Sequence, residues 1–426
     1  MKKVLLILYY WPPAGGPGVQ RWLKFVTYFK RFNIDIVLYL PSNPHYPLKD
    51  ESLLKEVPEG LTIYTHPIKE PYRWASVFSS QKTTDLSAGV LSSSKRSFLS
   101  KLMLFIRGNF FIPDARVSWV KPSVTYLNSI LDKEGIDTVI TSGPPHSLHL
   151  IGMRLKEKRP IKWLADFRDP WTKIHYHDQL LLSSWARKKH QLLEAKVLQS
   201  ADLITVTSPS TMRDFKTLTT TPIALITNGF DIDLNENAPL DTYFSLTHVG
   251  SLLSERNPVI LWSALAELCE EVPGFKEDLR LIFVGKTDQY IIDHMEHIGL
   301  SSNCEVVGYL SHHKAVEYQR KSQLLLLVES FKPEVAQIIP GKLFEYLAAK
   351  RPIIAIGPES WDVDELLADN AAGSTYVFDD KNSLKNDILT YYQLFKKGKI
   401  TIESDGIEAY HRSALTQKMA QLIWEL

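Results

Sequence analysis

The residues best placed to do chemistry lie in IIPGKLFEYLAAKRPIIAIGP, residues 338–358. Pro340 and Gly341 form a turn that opens a helix, and Lys350 and Arg351 close it before Pro352 and a new apolar run. The first amides of a helix have no intrahelical acceptor and sit at the positive end of its dipole, so they can hold a diphosphate. Gly341 lets the backbone approach such a group closely, and Lys342 can add a charge. Glu345 follows one turn later, where a carboxylate can accept hydrogen bonds from both hydroxyls of a ribose. On spacing alone the segment also fits an ordinary amphipathic crossover helix with a surface glutamate.

Three further clusters stand in the first half. YYWPPAGGPGVQRW (9–22) places Gly15 and Gly16 directly after the first apolar run and ahead of a helix carrying Arg21. A turn at that end of a sheet can approach a phosphate or an acceptor, although a lone glycine turn also fits a plain loop. TSGPPHSLHLIG (141–152) and ADFRDPW (165–171) end strands at the edge where ligands gather in open α/β sheets. Asp166, Arg168 and Asp169 put two carboxylates and a guanidinium at that rim, and either carboxylate could take a proton from an acceptor hydroxyl. The competing reading is an Asp–Arg salt bridge that anchors the loop, with Asp169 capping a turn. The histidines of HYHD (175–178), His294 and the pair His312–His313 lack the spacing and third ligand of a zinc site, so no metal is expected.

Short apolar runs bounded by turn residues, separated by helical patterns, position these clusters. They read as buried parallel strands at 4–10, 35–41, 61–67, 137–143, 161–167, 202–208 and 223–229, then at 244–250, 279–285, 304–310, 323–328 and 352–357. The pattern predicts an α/β protein with two Rossmann-like domains, as 426 residues exceed one usual core. Domains are expected at 1–232 and 240–405, joined through the polar stretch 231–243, with a last helix over 406–426 packing back toward the first domain. Residues 74–98 read as a long surface excursion.

Composition narrows the function classes. A net charge of +1 demands no polyanionic partner, so no nucleic acid is expected and any electrostatic site is local. Cys269 and Cys304 are too few for a disulfide framework, which fits the cytoplasm. The run from Val4 to Tyr10 is short, β-rich and followed by a Pro/Gly turn, so it reads as a strand and not as a signal peptide. Residues 94–113 mix Lys95, Arg96, Lys101 and Arg107 with Phe, Leu and Met, which suits either a peripheral contact with the inner membrane surface or a buried crossover helix.

The segments ITNGFD (226–231), HVGSLLSERNP (248–258), IFVGK (282–286), VVGYLSHHKAVEYQRKSQLLL (306–326) and 338–358, in that order, resemble the donor domain of family 4 glycosyltransferases of the GT-B fold. The resemblance implies two domains facing across a cleft, a nucleotide diphosphate sugar held by the second, and a glycan or lipid-linked acceptor held by the first. Gly250 matches the glycine that lets the backbone pass the phosphates, and Arg256 matches the basic residue that pairs with them. Ser251 stands where a second basic residue is usual, which moves the charge onto Arg256, Lys342 and the helix end. Glu345 matches the second of the family's two glutamates. The first falls on Gln337, with Glu334 nearby, so Gln337 and the amides of Ile338 and Ile339 are the candidates for the sugar hydroxyls. In the first half Gly15, Gly16 and Arg21 match a Gly-Gly turn followed by arginine. His146 or His175 would take the place of a histidine that contacts the donor sugar. The implied reaction is metal-independent transfer with retained configuration in cell-surface polysaccharide synthesis. No cofactor is implied beyond the donor itself. A sugar nucleotide 2-epimerase of the same fold and a non-catalytic subunit of a polysaccharide assembly are the rival readings.

Overall fold

A computed structural model describes residues 1–70, 98–174, 177, 180–234, 238–402 and 406–426. The chain divides into two compact units, one of Met1–Thr227 with Arg412–Leu426 and one of Asn228–His411. The division falls just ahead of the polar stretch expected as the linker, and the last helix belongs to the first unit.

In the first unit seven apolar runs become parallel strands: β1 (Lys2–Ile7), β2 (Ile34–Pro41), β3 (Thr62–His66), β4 (Thr138–Gly143), β5 (Lys162–Phe167), β6 (Leu203–Val206) and β7 (Ile223–Leu225). Their order is β3-β2-β1-β4-β5-β6-β7. Every residue of β4 is buried, as expected of a central parallel strand covered on both faces. One cover is the helix Pro17–Phe29, on which the helix Arg412–Glu425 buries Leu415, Met419 and Ile423. The other includes the helices Val120–Glu134 and Ser147–Lys156.

The second unit holds β8 (Phe244–Val249), β9 (Leu279–Val284), β10 (Cys304–Gly308), β11 (Leu324–Val328), β12 (Ile353–Ile356) and β13 (Gly373–Tyr376) in the parallel order β10-β9-β8-β11-β12-β13. The sequence reading lacks β13, whose GSTY carries no apolar run and which pairs only with β12 at the sheet edge. Both units are Rossmann-like, as expected. Strand order reverses between β1 and β4 and again between β8 and β11, so the loops leaving these strands bound the two natural ligand crevices.

A polar row inside the first sheet corrects two site expectations. Asp166 is fully buried, and its cross-strand neighbours are Ser142 on β4 and Thr205 on β6. The Ser142 and Thr205 hydroxyls donate to its carboxylate at 2.7 and 2.8 Å, Trp22 Nε1 at 3.2 Å, and Arg21 Nη2 at 3.2 Å. Arg21, itself buried, also donates to the Thr227 and Ile226 carbonyls. Asp166, buried with both carboxylate oxygens accepting from protein donors, therefore cannot act as a rim base, and Arg21 is buried with both terminal nitrogens donating to protein acceptors and not at the rim. Burial pushes the Asp166 carboxyl up, but the Arg21 guanidinium and the two hydroxyls outweigh it and hold the carboxyl below its ordinary range.

Truncating Arg21 leaves a buried carboxylate without its cation. Arg21→Met is expected to cost about 3–5 kcal/mol in urea unfolding of the first unit, and Arg21→Met with Asp166→Leu should recover much of it. Because the native carboxyl is depressed, its contribution is present above the ordinary carboxyl pKa. It is lost as pH falls through the lower native value, so the stability gap between wild type and the double variant should narrow in acid.

Candidate functional site

In the second unit the exits of β8 and β11 and one short helix converge. Gly250 follows β8 with φ +115°, a conformation that favours glycine, and a side chain there would meet Lys342 Nζ at 3.0 Å. The helix Lys342–Ala348 is anchored to the same strand, since the Val249 amide donates to the Tyr346 hydroxyl at 2.8 Å. That places Lys342 Nζ 3.3 Å from His248 Nε2. His248 is buried, and its Nδ1 lies 2.9 Å from the Leu326 carbonyl of β11. Arg256, in the turn Ser254–Arg256, pairs through Nε with Glu329 at 2.8 Å, directly after β11.

The electrostatics are lopsided. Burial and the Arg256 charge bring the Lys342 ammonium down to a pKa of about 8, against the opposing pull of Glu329 and Glu345. Burial and the Lys342 charge hold His248 well below the usual histidine range, so its ring is neutral. Lys342 thus lies beside Gly250 with a second cation, Arg256, close to it and Glu329 and Glu345 as the carboxylates acting on it. Such a site favours an incoming anion, and the Arg256 guanidinium can offer two donors at once.

Glu345 faces the same helix end. Its Oε2 accepts from Gln319 Nε2 at 3.0 Å, and its Oε1 lies 2.9 Å from His312 Nε2. Both partners sit on the helix His312–Lys321; Gln319 is buried and His312 largely exposed. Gln319 fixes the carboxylate from inside, while His312 is the partner that an incoming hydroxyl can replace.

Other expected residues behave differently. Gly341 is helical at φ −57° and ψ −31°, and the helix it opens stops at Ala348, ahead of Lys350. The Leu343 amide is taken by the Pro340 carbonyl at 3.0 Å. The Ile338 amide donates to the Val335 carbonyl at 2.9 Å, so it cannot serve a sugar hydroxyl as expected. The Ile338 carbonyl in turn accepts from Trp361 Nε1 at 2.8 Å. Ile339 is buried, Gln337 half-buried, Ser251 exposed, and Glu334 exposed on a separate turn over Pro333–Val335. His248, Glu329, His312, Gln319 and Tyr346 were not legible as site residues, because each acts through a partner at least 26 positions away.

In the first unit the loops leaving β1, β4 and β5 meet. Gly15 donates to the Leu48 carbonyl at 3.0 Å, and Gly16, at φ +107°, precedes Pro17 with open space around it. Gly18, which the sequence did not single out, lies against the Arg168 guanidinium, and Arg168 also bonds the Pro144 carbonyl. Asp169 is half-buried beside it. His146 is buried and stacked on Trp171 at 5.1 Å, not a surface residue. Its ring nitrogens have no hydrogen-bond partner among the described residues. Burial and the nearby His149 hold it well below the usual range, so it is neutral. His175 lies outside the described residues. Among the described residues no group of three or more His, Cys, Asp or Glu side chains could hold a metal ion.

The chain matches two family models, one described as Glycosyl transferases group 1 over residues 230–398 and one as Glycosyltransferase Family 4 over residues 91–234. No curated protein matches its sequence. Among solved structures it is similar to sucrose-phosphate synthase from Thermosynechococcus elongatus, at 15% identity and a TM-score of 0.60 over 100% of this chain and 99% of that one. A glycosyltransferase from Rickettsia africae gives 13% identity and 0.61 over 100% and 98%, and the lipopolysaccharide outer core galactosyltransferase WaaB 15% and 0.60 over 100% and 99%. At such identities these structures carry the fold, while the family models carry the activity. The two models together run from residue 91 to residue 398, and the chain belongs to the family 4-like glycosyltransferases of the GT-B fold.

Proposed function

We propose that this glycosyltransferase moves a sugar from a nucleotide diphosphate to a glycan or lipid-linked acceptor in cell-surface polysaccharide synthesis, at the cytoplasmic face of the membrane, with retained configuration. The observation that carries the donor half is the shared space of Arg256 and Lys342 beside Gly250, one helix turn from Glu345. There the diphosphate would take the two cations and the Lys342 helix end, and the ribose would take Glu345 in place of His312. Negative charge grows on the diphosphate as the anomeric bond breaks. Arg256 and Lys342 would stabilise it in the position a divalent ion fills elsewhere, which supports metal-independent transfer. Gln337 and the Ile339 amide remain the candidates for the sugar hydroxyls.

The first unit would hold the acceptor. With Asp166 locked in the sheet, Asp169 is the carboxylate at the β5 exit that can accept the acceptor hydroxyl proton. Gly15, Gly16 and Arg168 would line the acceptor side, whereas His146, expected to contact the sugar, is buried with both ring nitrogens enclosed. The absence, among the described residues, of any helix long and apolar enough to cross a membrane is compatible with a peripheral attachment through 94–113.

Calorimetry with UDP and GDP tests the donor site. Arg256→Ala and Glu345→Ala should each weaken the preferred nucleotide about 10- to 100-fold, as expected for charge-assisted hydrogen bonds; unchanged affinity in both variants removes the site. Lys342 sets a pH dependence, since the ammonium form binds the diphosphate. Affinity should be flat below pH 8 and fall above it by up to tenfold per unit, whereas Lys342→Arg should stay flat through this range. Asp169→Asn should lower kcat by about 10²–10⁴ while leaving nucleotide affinity unchanged, which steady-state kinetics and calorimetry read separately.

A further inference from the structure

Two helices of the first unit turn apolar residues outward. In the helix Phe98–Phe110, Leu102, Phe105, Ile106 and Phe110 follow the spacing of one face and are 39–72% exposed, while Leu104 on the other side is buried. The sequence reading of a buried crossover helix is thus wrong for this face. The helix is tied to the next exposed group through Asn109, whose side-chain amide donates to the Leu181 carbonyl at 3.2 Å and accepts from the Ser183 amide at 2.8 Å. Leu181 is held at φ +52°, an uncommon conformation for leucine, with its side chain exposed. One turn further, at the start of the helix Ser184–Ser200, Trp185 is 63% exposed and Lys189 Nζ lies 4.8 Å over its ring.

The charge within these two segments has one sign. No Asp or Glu occurs from 98 to 113 or from 180 to 193, whereas Lys101, Arg107, Arg187, Lys188 and Lys189 do. An apolar face with tryptophan and phenylalanine at its edge, on two segments whose own charges are all cationic, matches the chemistry of an anionic bilayer surface, where apolar side chains enter the headgroup boundary and ammonium groups meet lipid phosphates. We propose that the outward face of the helix Phe98–Phe110 and the start of the helix Ser184–Ser200, joined at Asn109, form one docking surface for anionic lipid. The proposal deepens the lipid-linked acceptor reading and rests on it for its biological purpose, but the surface is measured without donor or acceptor.

Vesicles of phosphatidylcholine with phosphatidylglycerol, and of phosphatidylcholine alone, supply the probe in a sedimentation assay with the full chain. Wild type should bind the mixed vesicles more tightly than phosphatidylcholine alone and fall toward that weaker binding as salt rises. Lys188→Gln with Lys189→Gln should weaken it roughly 30-fold, about fivefold per lysine. Phe110→Ser with Trp185→Ala should abolish binding to both vesicle types. All these side chains are exposed, and an unchanged thermal melt with unchanged UDP or GDP affinity confirms that the variants fold. Wild-type failure to bind vesicles, equal binding by all variants, or a dimer in sedimentation velocity that the same substitutions dissolve would each overturn the proposal. A chain that binds vesicles but no nucleotide would leave this surface standing and remove the donor reading instead.

Discussion

The Tyr346 hydroxyl accepts the Val249 amide at 2.8 Å, and the geometry of the second-unit site follows from that bond. Val249 is the last residue of β8, and the hydroxyl also lies 3.4 Å from the Leu326 carbonyl of β11, so a single phenol spans the strand pair at which the sheet order reverses. A helix of seven residues has little stability of its own, and its position must come from packing. Leu343, Phe344 and Leu347 supply the burial, and Tyr346 supplies the register. With that register, Lys342 points at Gly250 and His248, and Glu345 falls between Gln319 and His312.

The two units use the same residue types to opposite ends. In the first, Arg21 and Asp166 meet under the sheet, where hydroxyls, the Trp22 indole and backbone carbonyls take up both carboxylate oxygens and both terminal guanidinium nitrogens. In the second, Arg256 meets Glu329 at a strand exit, and Lys342 is pressed in beside it as a further cation. Burying that ammonium against like charge is unfavourable, as its depressed pKa records, and an anion that fills the space relieves both penalties. A pair of opposite charges enclosed under a sheet is therefore weak evidence of function, whereas a buried lysine set beside a second cation at a switch point marks a candidate site.

The same contrast explains what the sequence could disclose. Apolar runs placed twelve of the strands, most securely the central ones, because a parallel strand buried on both faces needs little but its own residues to be recognised. β13 escaped because an edge strand with one partner can be short and polar. Lys342 and Glu345 were legible because charge at a helix start is a local signal, whereas Gly250 and Arg256 were reached through the resemblance to the family. Asp166 misled for the converse reason. The alternation Asp-Arg-Asp looks like a rim, and only the pairing of β5 with Ser142 and Thr205, 24 and 39 positions away, shows that its first member points into the sheet.

The departures at Ser251 and Gln337 can be weighed in the same terms. At 13–15% identity over whole chains, what this protein shares with its structural neighbours is backbone. The features that backbone dictates are present: a glycine at φ +115° after β8, a helix start aimed at it, and a strand order that reverses beside it. Ser251 is exposed and Gln337 half-buried on the approach to the helix, positions where a changed side chain alters what is held without moving the frame. Losing a cation at Ser251 leaves more of the anion's charge to Lys342, and the closeness of its ammonium to Gly250 meets that demand. Losing a carboxylate at Gln337 removes an acceptor that can bind two sugar hydroxyls and substitutes an amide that both donates and accepts. On the proposed donor reading, the diphosphate end would thus be compensated within the second unit, while the end near Gln337 would differ chemically, and it is there that this chain's sugar specificity would be decided.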